Sequence, residues 1–232
     1  SSVGEKAKLD GFLGQLAQKY SVLVPVDYNG LTQFAPYSQV QEGVSKLYLD
    51  GNVTVSPKTV YLPQSEAMYK FRAQGKKLAI EEMPALEHMQ VLFGVRHCDT
   101  KAIACLDKVF LDEQFPDPQY KDKRDKTIVF ALACNNPKAT CFCESMGIDR
   151  AHADNSVADV QVYDLGDVYG FEAVSEKGKT CLDGLTGLNE GASRLPDQKP
   201  QSISFDAAFF LCCNAFKALC CTSSSLYSAC LA

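Results

Sequence analysis

Cysteine is the residue type whose spacing in this sequence most clearly suggests chemistry. The stretch ACNNPKATCFCESMG (133–147) places Cys134, Cys141 and Cys143 within ten positions, and Cys98 lies upstream in VLFGVRHCDTKAIACLD. Thiolates are the ligands of structural zinc and of iron–sulfur clusters. The 11 cysteines of the 232-residue chain are clustered, and an odd number argues against a simple disulfide framework. The pattern points first to a metal.

The segments around these cysteines predict a βαβ unit. Two apolar runs, MQVLFGV (89–95) and KTIVFALA (126–133), are typical of buried strands. The run TKAIACLDKVFL between them predicts a helix with Asp99 as its N-cap. Its apolar face is expected to carry Ala102, Cys105, Leu106, Val109 and Phe110. We predict a polar, solvated loop for DEQFPDPQYKDKRDK, and parallel strands joined by a right-handed crossover.

This unit brings the four cysteines to one edge of the sheet. Cys98 follows the carboxyl end of the first strand, and Cys134 follows that of the second. In a parallel pair these ends lie at the same edge, where open α/β sheets bind their ligands. Cys141 and Cys143 return on the loop after Cys134, so four thiolates can converge there without distorting the fold.

The charge around Cys98 suits an anionic group. Cys98 lies just before the N-terminus of the predicted helix, where unpaired amides and the helix dipole lower the pKa of a thiol. Arg96, His97 and Lys101 are close in sequence and are expected to add positive potential. Because a cluster held by four thiolates carries net negative charge, such neighbours tend to raise its reduction potential.

The residues leave four interpretations of these cysteines open. They are a [4Fe–4S] cluster, a structural zinc site, a thiol–disulfide redox pair formed by Cys141 and Cys143, and cysteines that only pack. The spacing Cys-x-Cys differs from the usual zinc spacing and from the Cys-x-x-Cys of most redox pairs. For Cys105 we predict core packing, and for Cys181 a loop or packing position.

Other chemistry is missing from the sequence. His88, His97 and His152 form no metal-binding motif, and His97 is interpreted as structural or solvent-facing. No G-x-G-x-x-G, Walker A or G-x-S-x-G motif occurs. The formal charge of −5, without a basic stripe, argues against a nucleic-acid partner. No apolar run is long enough to span a bilayer and the N-terminus lacks a signal pattern, so we expect a cytoplasmic protein without a membrane span.

Periodicity predicts the remaining elements, which together with the βαβ unit indicate an α/β (or α+β) fold with a mixed sheet. The expected elements are an amphipathic helix over 6–20 with Leu9, Phe12, Leu13 and Leu16 on one face, a strand over 21–28, a hairpin over 45–56 with an Asp-Gly turn, a helix from about Ser65 to Gly75, a hairpin over 158–175, and a region over 176–202 that is mostly loop with one short helix.

Several motifs, in this order, resemble those of one family of electron-transfer subunits. They are SPKTVYLPQSEAMYKFR, FGVRHCDTKAI, LDKVFLDEQFPDPQY, CNNPKATCFCESMG and DLGDVYGFEAVSEKG. The family comprises the iron–sulfur beta subunits of cytoplasmic sulfhydrogenase-type nickel–iron hydrogenases and the A subunits of anaerobic sulfite reductases, which are 4Fe-4S dicluster domain-containing proteins. The resemblance covers about residues 55–180.

The resemblance implies a relay function. Family members pass electrons between a flavoprotein subunit that oxidises NAD(P)H and a catalytic, metal-containing subunit of hydrogenase or sulfite-reductase type. It implies a [4Fe–4S] cluster on Cys98, Cys134, Cys141 and Cys143, without catalysis by this chain. The family pattern Gly-Val-Arg-Pro-Cys-Asp differs here only at His97, and the pattern Thr-Cys-Phe-Cys is matched in full. The alternative from another class is a zinc-stabilised structural or interaction subunit without a redox role.

The C-terminal segment departs further from the family. Family members usually continue into a helical ferredoxin-like segment opened by C-x2-C-x2-C-x3-C. Cys220 and Cys230 have the spacing of its first and fourth cysteines, but Ser223 and Leu226 occupy the two positions between. We therefore expect an α/β cluster-bearing domain over 1–202 and the start or remnant of a dicluster segment over 203–232. Cys220 and Cys230 are candidate ligands of a tail cluster.

Overall fold

The computed structural model of the chain describes residues 2–5, 8–75, 77–185 and 189–190, with side chains for 8–75 and 77–185. All of them lie within the unit Ser1–Asp197. The predicted segment 203–232, with Cys220 and Cys230, lies outside the described residues.

Strands and helices alternate through much of the described chain. The strands are β1 (Ser2–Glu5), β2 (Ser21–Tyr28), β3 (Leu31–Pro36), β4 (Lys46–Leu47), β5 (Tyr69–Gln74), β6 (Lys77–Glu82), β7 (Gln90–Arg96), β8 (Thr127–Leu132), β9 (Val160–Asp164), β10 (Val168–Ala173) and β11 (Asn189–Glu190). The helices are α1 (Leu9–Ala17), α2 (Ser38–Gln41), α3 (Lys58–Tyr61), α4 (His97–Phe110), α5 (Pro118–Lys126) and α6 (Glu176–Asp183).

Most of the strands belong to one mixed sheet. Within the described residues its order is β11-β1-β10-β9-β8-β7-β2-β3, and β4 also pairs with β2. The central strands β2, β7, β8 and β9 run parallel to one another, whereas the pairs β2–β3, β9–β10 and β1–β10 are antiparallel. This confirms the predicted α/β (or α+β) fold with a mixed sheet and a βαβ unit, here β7–α4–β8.

Apolar side chains cover both faces of the sheet. On one face α1 packs through the four residues predicted from its periodicity, and the Phe12 ring lies 4.8 Å from that of Phe171. On the other face α3, α4 and α5 pack through Tyr61, Ile103 and Tyr120. Because helices cover both faces, β7 and β8 are buried along their whole length, and their apolar residues form continuous runs rather than alternating, as expected of buried parallel strands.

The predicted hairpin over 45–56 is wrong. Only β4 forms there, and it pairs with β2 instead of with the residues after the Asp-Gly sequence. After β4 the backbone bonds to β2 and β3. The Tyr48 amide donates to the Pro25 carbonyl at 2.8 Å, and the Thr54 amide donates to the Thr32 carbonyl at 3.0 Å. The backbone of this segment bonds to distant residues, and a local turn signal does not report such contacts.

The helix predicted from Ser65 to Gly75 is also wrong. The strands β5 and β6 form a separate two-stranded hairpin, with Gly75 at φ +59° in its turn. Phe71 pairs with Ile80, and every described residue of both strands is exposed. The two-residue alternation of apolar side chains outweighs the helix propensity of this stretch.

The helix α4 begins three residues earlier than predicted and buries a different face. His97 is its first residue, so Asp99 is not the N-cap; instead Asp99 accepts a 2.7 Å hydrogen bond from the Ser56 hydroxyl. The buried residues are His97, Asp99, Thr100, Ile103 and Ala104, whereas Cys105 and Val109 are exposed. The prediction of a core position for Cys105 is therefore wrong. The helix buries polar residues that have specific hydrogen-bond partners, such as His97 and Asp99, although the apolar pattern alone predicts that they are exposed.

The loop predicted between α4 and β8 contains the helix α5. Pro118 is its first residue, and the Asp117 side chain caps it by accepting from the Tyr120 amide at 2.8 Å. The charged run KDKRDK is thus helical, and it is not wholly solvated. Lys123 is buried, and its ammonium group donates to the Tyr61 carbonyl at 3.0 Å.

The remaining predictions agree better with the structure. The hairpin over 158–175 is confirmed by the antiparallel pair β9–β10. The region from 176 begins with α6, which Ser175 caps by accepting from the Gly178 amide at 3.1 Å. Cys181 of this helix is buried in the core, so its packing role is confirmed. Among the described helices, none has the length and hydropathy needed to cross a membrane.

Candidate metal centre

The carboxyl ends of β7 and β8 deliver two of the four candidate cysteines. The strands are parallel and their last residues, Arg96 and Leu132, are paired. Cys98 is the second residue of α4, directly after β7, and Cys134 comes two residues after β8. Both therefore lie at the edge where an open α/β sheet presents its ligand sites.

All four candidate cysteines line one cleft at this edge. The cleft encloses about 360 Å³ including its open mouth. Its lining consists of Asn52, Arg96, His97, Cys98, Cys134, Asn136, Pro137, Cys141, Cys143 and Arg150. Within the part of the chain that the structure describes, no three cysteine, histidine, aspartate or glutamate residues form a group that could hold a metal ion. The four thiols share a cleft rather than a preformed mononuclear site.

Backbone hydrogen bonds shape the loop that carries Cys141 and Cys143. The Cys134 amide donates to the Arg150 carbonyl at 3.0 Å, which closes the base of the loop. The Cys141 amide donates to the Lys138 carbonyl at 2.9 Å, and the Lys138 amide donates in return to the Cys141 sulfur at 3.3 Å. An amide directed at a sulfur stabilises its thiolate form. Cys143 leads into a short 3-10 turn over Glu144–Met146.

Burial raises the pKa of two of the four thiols, those of Cys98 and Cys143. It raises the pKa of Cys98 to about 12, together with the nearby Asp99 carboxylate and the Cys143 and Cys134 sulfurs. Burial likewise raises the pKa of Cys143, assisted by Cys141 and Cys134. The prediction that the helix N-terminus lowers the pKa of Cys98 is therefore wrong, because desolvation and negative neighbours outweigh the Asp99 amide. Because the Cys98 and Cys143 thiols stay protonated at neutral pH, a metal that binds them must displace their protons.

His97 is a structural residue beside the cleft. Its Nδ1 lies 3.0 Å from the Asp149 carbonyl, and its Nε2 lies 2.9 Å from Nε2 of Gln161. The Gln161 Oε1 accepts from the Ala153 amide at 3.0 Å, which fixes the orientation of the amide group. His97 therefore accepts at Nε2 and donates from Nδ1. Burial lowers the pKa of His97 to about 4, so the ring is neutral at pH 7 and adds no positive charge, contrary to the prediction.

Arg96 is the buried cation of the cleft. It is 6% exposed, and its guanidinium donates to the Ala133 carbonyl at 2.7 Å, to the Gly51 carbonyl at 3.4 Å and to the Leu49 carbonyl. Lys101, in contrast, points outward and pairs with Asp154 at 3.2 Å with half of its side chain exposed. Of the three residues expected to supply positive potential, Arg96 alone does so from within the cleft lining.

The segment 48–52 is part of the site that sequence reasoning missed. Asn52 lines the cleft, and its buried side-chain oxygen has no hydrogen-bond partner among the described residues. Its carbonyl accepts from the Lys138 ammonium at 3.2 Å. Arg96 holds the carbonyls of Leu49 and Gly51. Arg150 was also missed. No local signal marks these residues, since their contacts join positions that are far apart in sequence.

Comparison with known proteins finds similarity to a hydrogenase subunit. The chain is 31% identical over 171 residues to the sulfhydrogenase 2 subunit beta of Pyrococcus furiosus. The aligned part is 71% of this chain and 48% of that subunit, so the chain spans about half the length of the relative it matches. This similarity agrees with the resemblance to sulfhydrogenase beta subunits. No protein-family model matches the chain, and no solved structure matches it.

Proposed function

We propose that the chain is an electron-transfer subunit of a hydrogenase-related, cytoplasmic oxidoreductase. In this proposal Cys98, Cys134, Cys141 and Cys143 together hold a [4Fe–4S] cluster. The observation that supports it most is the shared cleft, lined by four thiols in a chain that is similar to a hydrogenase subunit. Further clusters, with Cys220 and Cys230 among the ligands, belong to the same proposal.

The residues of the cleft fit such a cluster. Four cysteine thiolates are the usual ligand set, and they come here from two strand ends and the loop that follows. The Lys138 amide already donates to one sulfur, and the buried Arg96 supplies positive charge for an anionic group. When bound, a [4Fe–4S] cluster supplies one-electron transfer.

The exposure of the ligands suits a relay. Each of the four cysteines is partly buried, so the protein shields the site from bulk water on one side and leaves it close to the surface on the other. Arg96, which is buried, lines the cleft together with Asn52. A partner that docks at the mouth of the cleft would come close to the thiols.

The proposed partners follow from the need for an electron donor and an electron acceptor. We assign the donor role to a flavoprotein subunit that oxidises NAD(P)H. The acceptor is a catalytic, metal-containing subunit of hydrogenase or sulfite-reductase type. The chain itself binds the cluster, orients it at the sheet edge and limits the access of water.

A structural zinc site is the second candidate, because four thiolates are also a common zinc ligand set. The test is to purify the full chain without oxygen and to record its visible spectrum and metal content. The proposal predicts broad visible absorbance that a strong reductant bleaches, and bleaching by NAD(P)H only when the flavoprotein partner is present. A colourless protein with one zinc per chain would favour the structural role instead.

A further inference from the structure

The side chain of Arg96 is a buried cation without a carboxylate partner in the part of the chain that the structure describes. It is 6% exposed, and the hydrogen bonds that the described structure gives it all go to backbone carbonyls, those of Ala133, Gly51 and Leu49. Carbonyl dipoles fix the guanidinium but do not neutralise it. A buried charge costs free energy unless an opposite charge offsets it.

Among the described residues, no carboxylate forms a hydrogen bond or an ion pair with Arg96. Asp99 accepts from the Ser56 hydroxyl at 2.7 Å through one oxygen, and its other oxygen is buried without a described hydrogen-bond partner. The Asp149 carboxylate accepts from the Ala151 amide at 2.8 Å, and its other oxygen lies 3.2 Å from Nδ1 of His152. The remaining groups of the cleft lining that can carry negative charge are the four cysteines. The geometry therefore leaves the thiolates, and whatever they hold, as the counter-charge of Arg96.

The three carbonyls explain why the guanidinium stays at this place. Ala133 directly precedes Cys134, and Arg96 itself lies two residues before Cys98, so one side chain joins both strand ends that deliver ligands. Leu49 and Gly51 belong to the segment that leads to Asn52, which lines the cleft. The charge is thus held against the cleft by two separate parts of the backbone, the residue before Cys134 and the segment 49–51.

We propose that Arg96 sets the reduction potential of the cluster, its fixed positive charge favouring the reduced state, which carries one more electron. This inference rests on the proposed function, since it needs a cluster in the cleft. Hydrogen bonding and local charge are the means by which a protein tunes such potentials. Arg96 acts here as a positioning and tuning residue and not as a ligand.

The test compares midpoint potentials of the cluster in the full chain, measured by redox titration followed by electron paramagnetic resonance. The signal of this cluster is identified by its loss in Cys98→Ser. We expect Arg96→Gln to lower the ratio of reduced to oxidised cluster at least tenfold at a fixed potential, which corresponds to about 59 mV for one electron. Arg96→Lys, which keeps the charge, should restore most of the wild-type potential.

Lys101→Met is the matched control. It removes a positive charge from the same helix end, but this charge is exposed and paired with Asp154, so the potential should stay at the wild-type value. An unchanged potential in a fully loaded Arg96→Gln, or equal shifts in Arg96→Gln and Arg96→Lys, would overturn the inference.

Loss of the cluster gives equally decisive outcomes. If Arg96→Gln and Arg96→Met fail to retain the cluster while Arg96→Lys retains it, the potential of Arg96→Lys decides: a value close to that of the wild type supports the inference, and a shift of about 59 mV or more overturns it. If all three lose it, Arg96 acts only through its carbonyl contacts and the inference fails. Absence of a cluster from the wild-type chain would instead refute the proposed function, which keeps the two failures distinct.

Discussion

Gly94 forms a β-bulge in β7, two residues before Arg96. It interrupts the pairing of β7 with β8, because Phe93 pairs with Phe130 and Val95 with the next residue, Ala131. Its φ of +82° lies in the left-handed region, and a Cβ there would lie 3.2 Å from atoms of Pro25 and Leu49. A bulge redirects the side chains that follow it. We infer that Gly94 directs Arg96 towards the segment 48–52.

We expect Gly94→Ala to lower the free energy of unfolding by about 1–3 kcal/mol, because the side chain meets both a strained φ and close neighbours. Chemical denaturation measures the change. Gly14→Ala in α1 is the control: a Cβ there has nothing within 4 Å, so stability should stay constant or rise by up to about 1 kcal/mol. Equal effects at the two positions would contradict this account of the bulge.

At the residue scale the sequence predicts the ligands better than their surroundings. The four cysteines follow from two apolar strands and the rule that parallel strands end at one edge, and the structure places them around one cleft. The role of Arg96 and the presence of Asn52 depend on carbonyls and loops about 45 residues away. Such contacts leave no pattern in the local sequence.

At the scale of elements, periodicity predicts what is regularly amphipathic or wholly apolar. This holds for α1, β7, β8 and the hairpin β9–β10. It fails where long-range polar contacts decide the structure, as in α5, whose charged sequence gives no apolar face. Two of its basic side chains, those of Lys123 and Arg124, are largely buried instead. Arg124 binds Asp107 of α4 at 2.9 and 3.0 Å, and Tyr120 donates to the same carboxylate at 2.6 Å.

This pair between α4 and α5 yields a stability prediction. Asp107→Asn leaves the largely buried Arg124 without its counter-charge, so we expect a loss of roughly 3 kcal/mol in the free energy of unfolding. Asp125→Asn on the same helix is the control, because its pair with Lys121 is exposed and should have no detectable effect. Thermal and chemical denaturation of both variants measure the difference. A change in Asp125→Asn as large as that in Asp107→Asn would disprove the distinction.

At the scale of the whole molecule, the sheet is a support that holds a thiol-lined cleft at its carboxyl edge. Helices cover both faces of the sheet, so this edge is where a ligand can be reached without disturbing the core. The mixed α/β class was predictable because the central strands are strongly apolar. The similarity to a sulfhydrogenase subunit covers about half of that subunit's length, and it supports the relay that we propose.

The most direct test of the central claim is the iron and acid-labile sulfide content of two serine variants of the full chain, purified without oxygen. Cys98 and Cys105 lie on the same helix, but Cys98 lines the cleft and Cys105 is exposed elsewhere on α4. We predict that Cys105→Ser keeps the wild-type content, whereas Cys98→Ser loses about four iron atoms and about four sulfides per chain. Equal iron and sulfide in the two variants, or zinc in place of iron, would contradict the account.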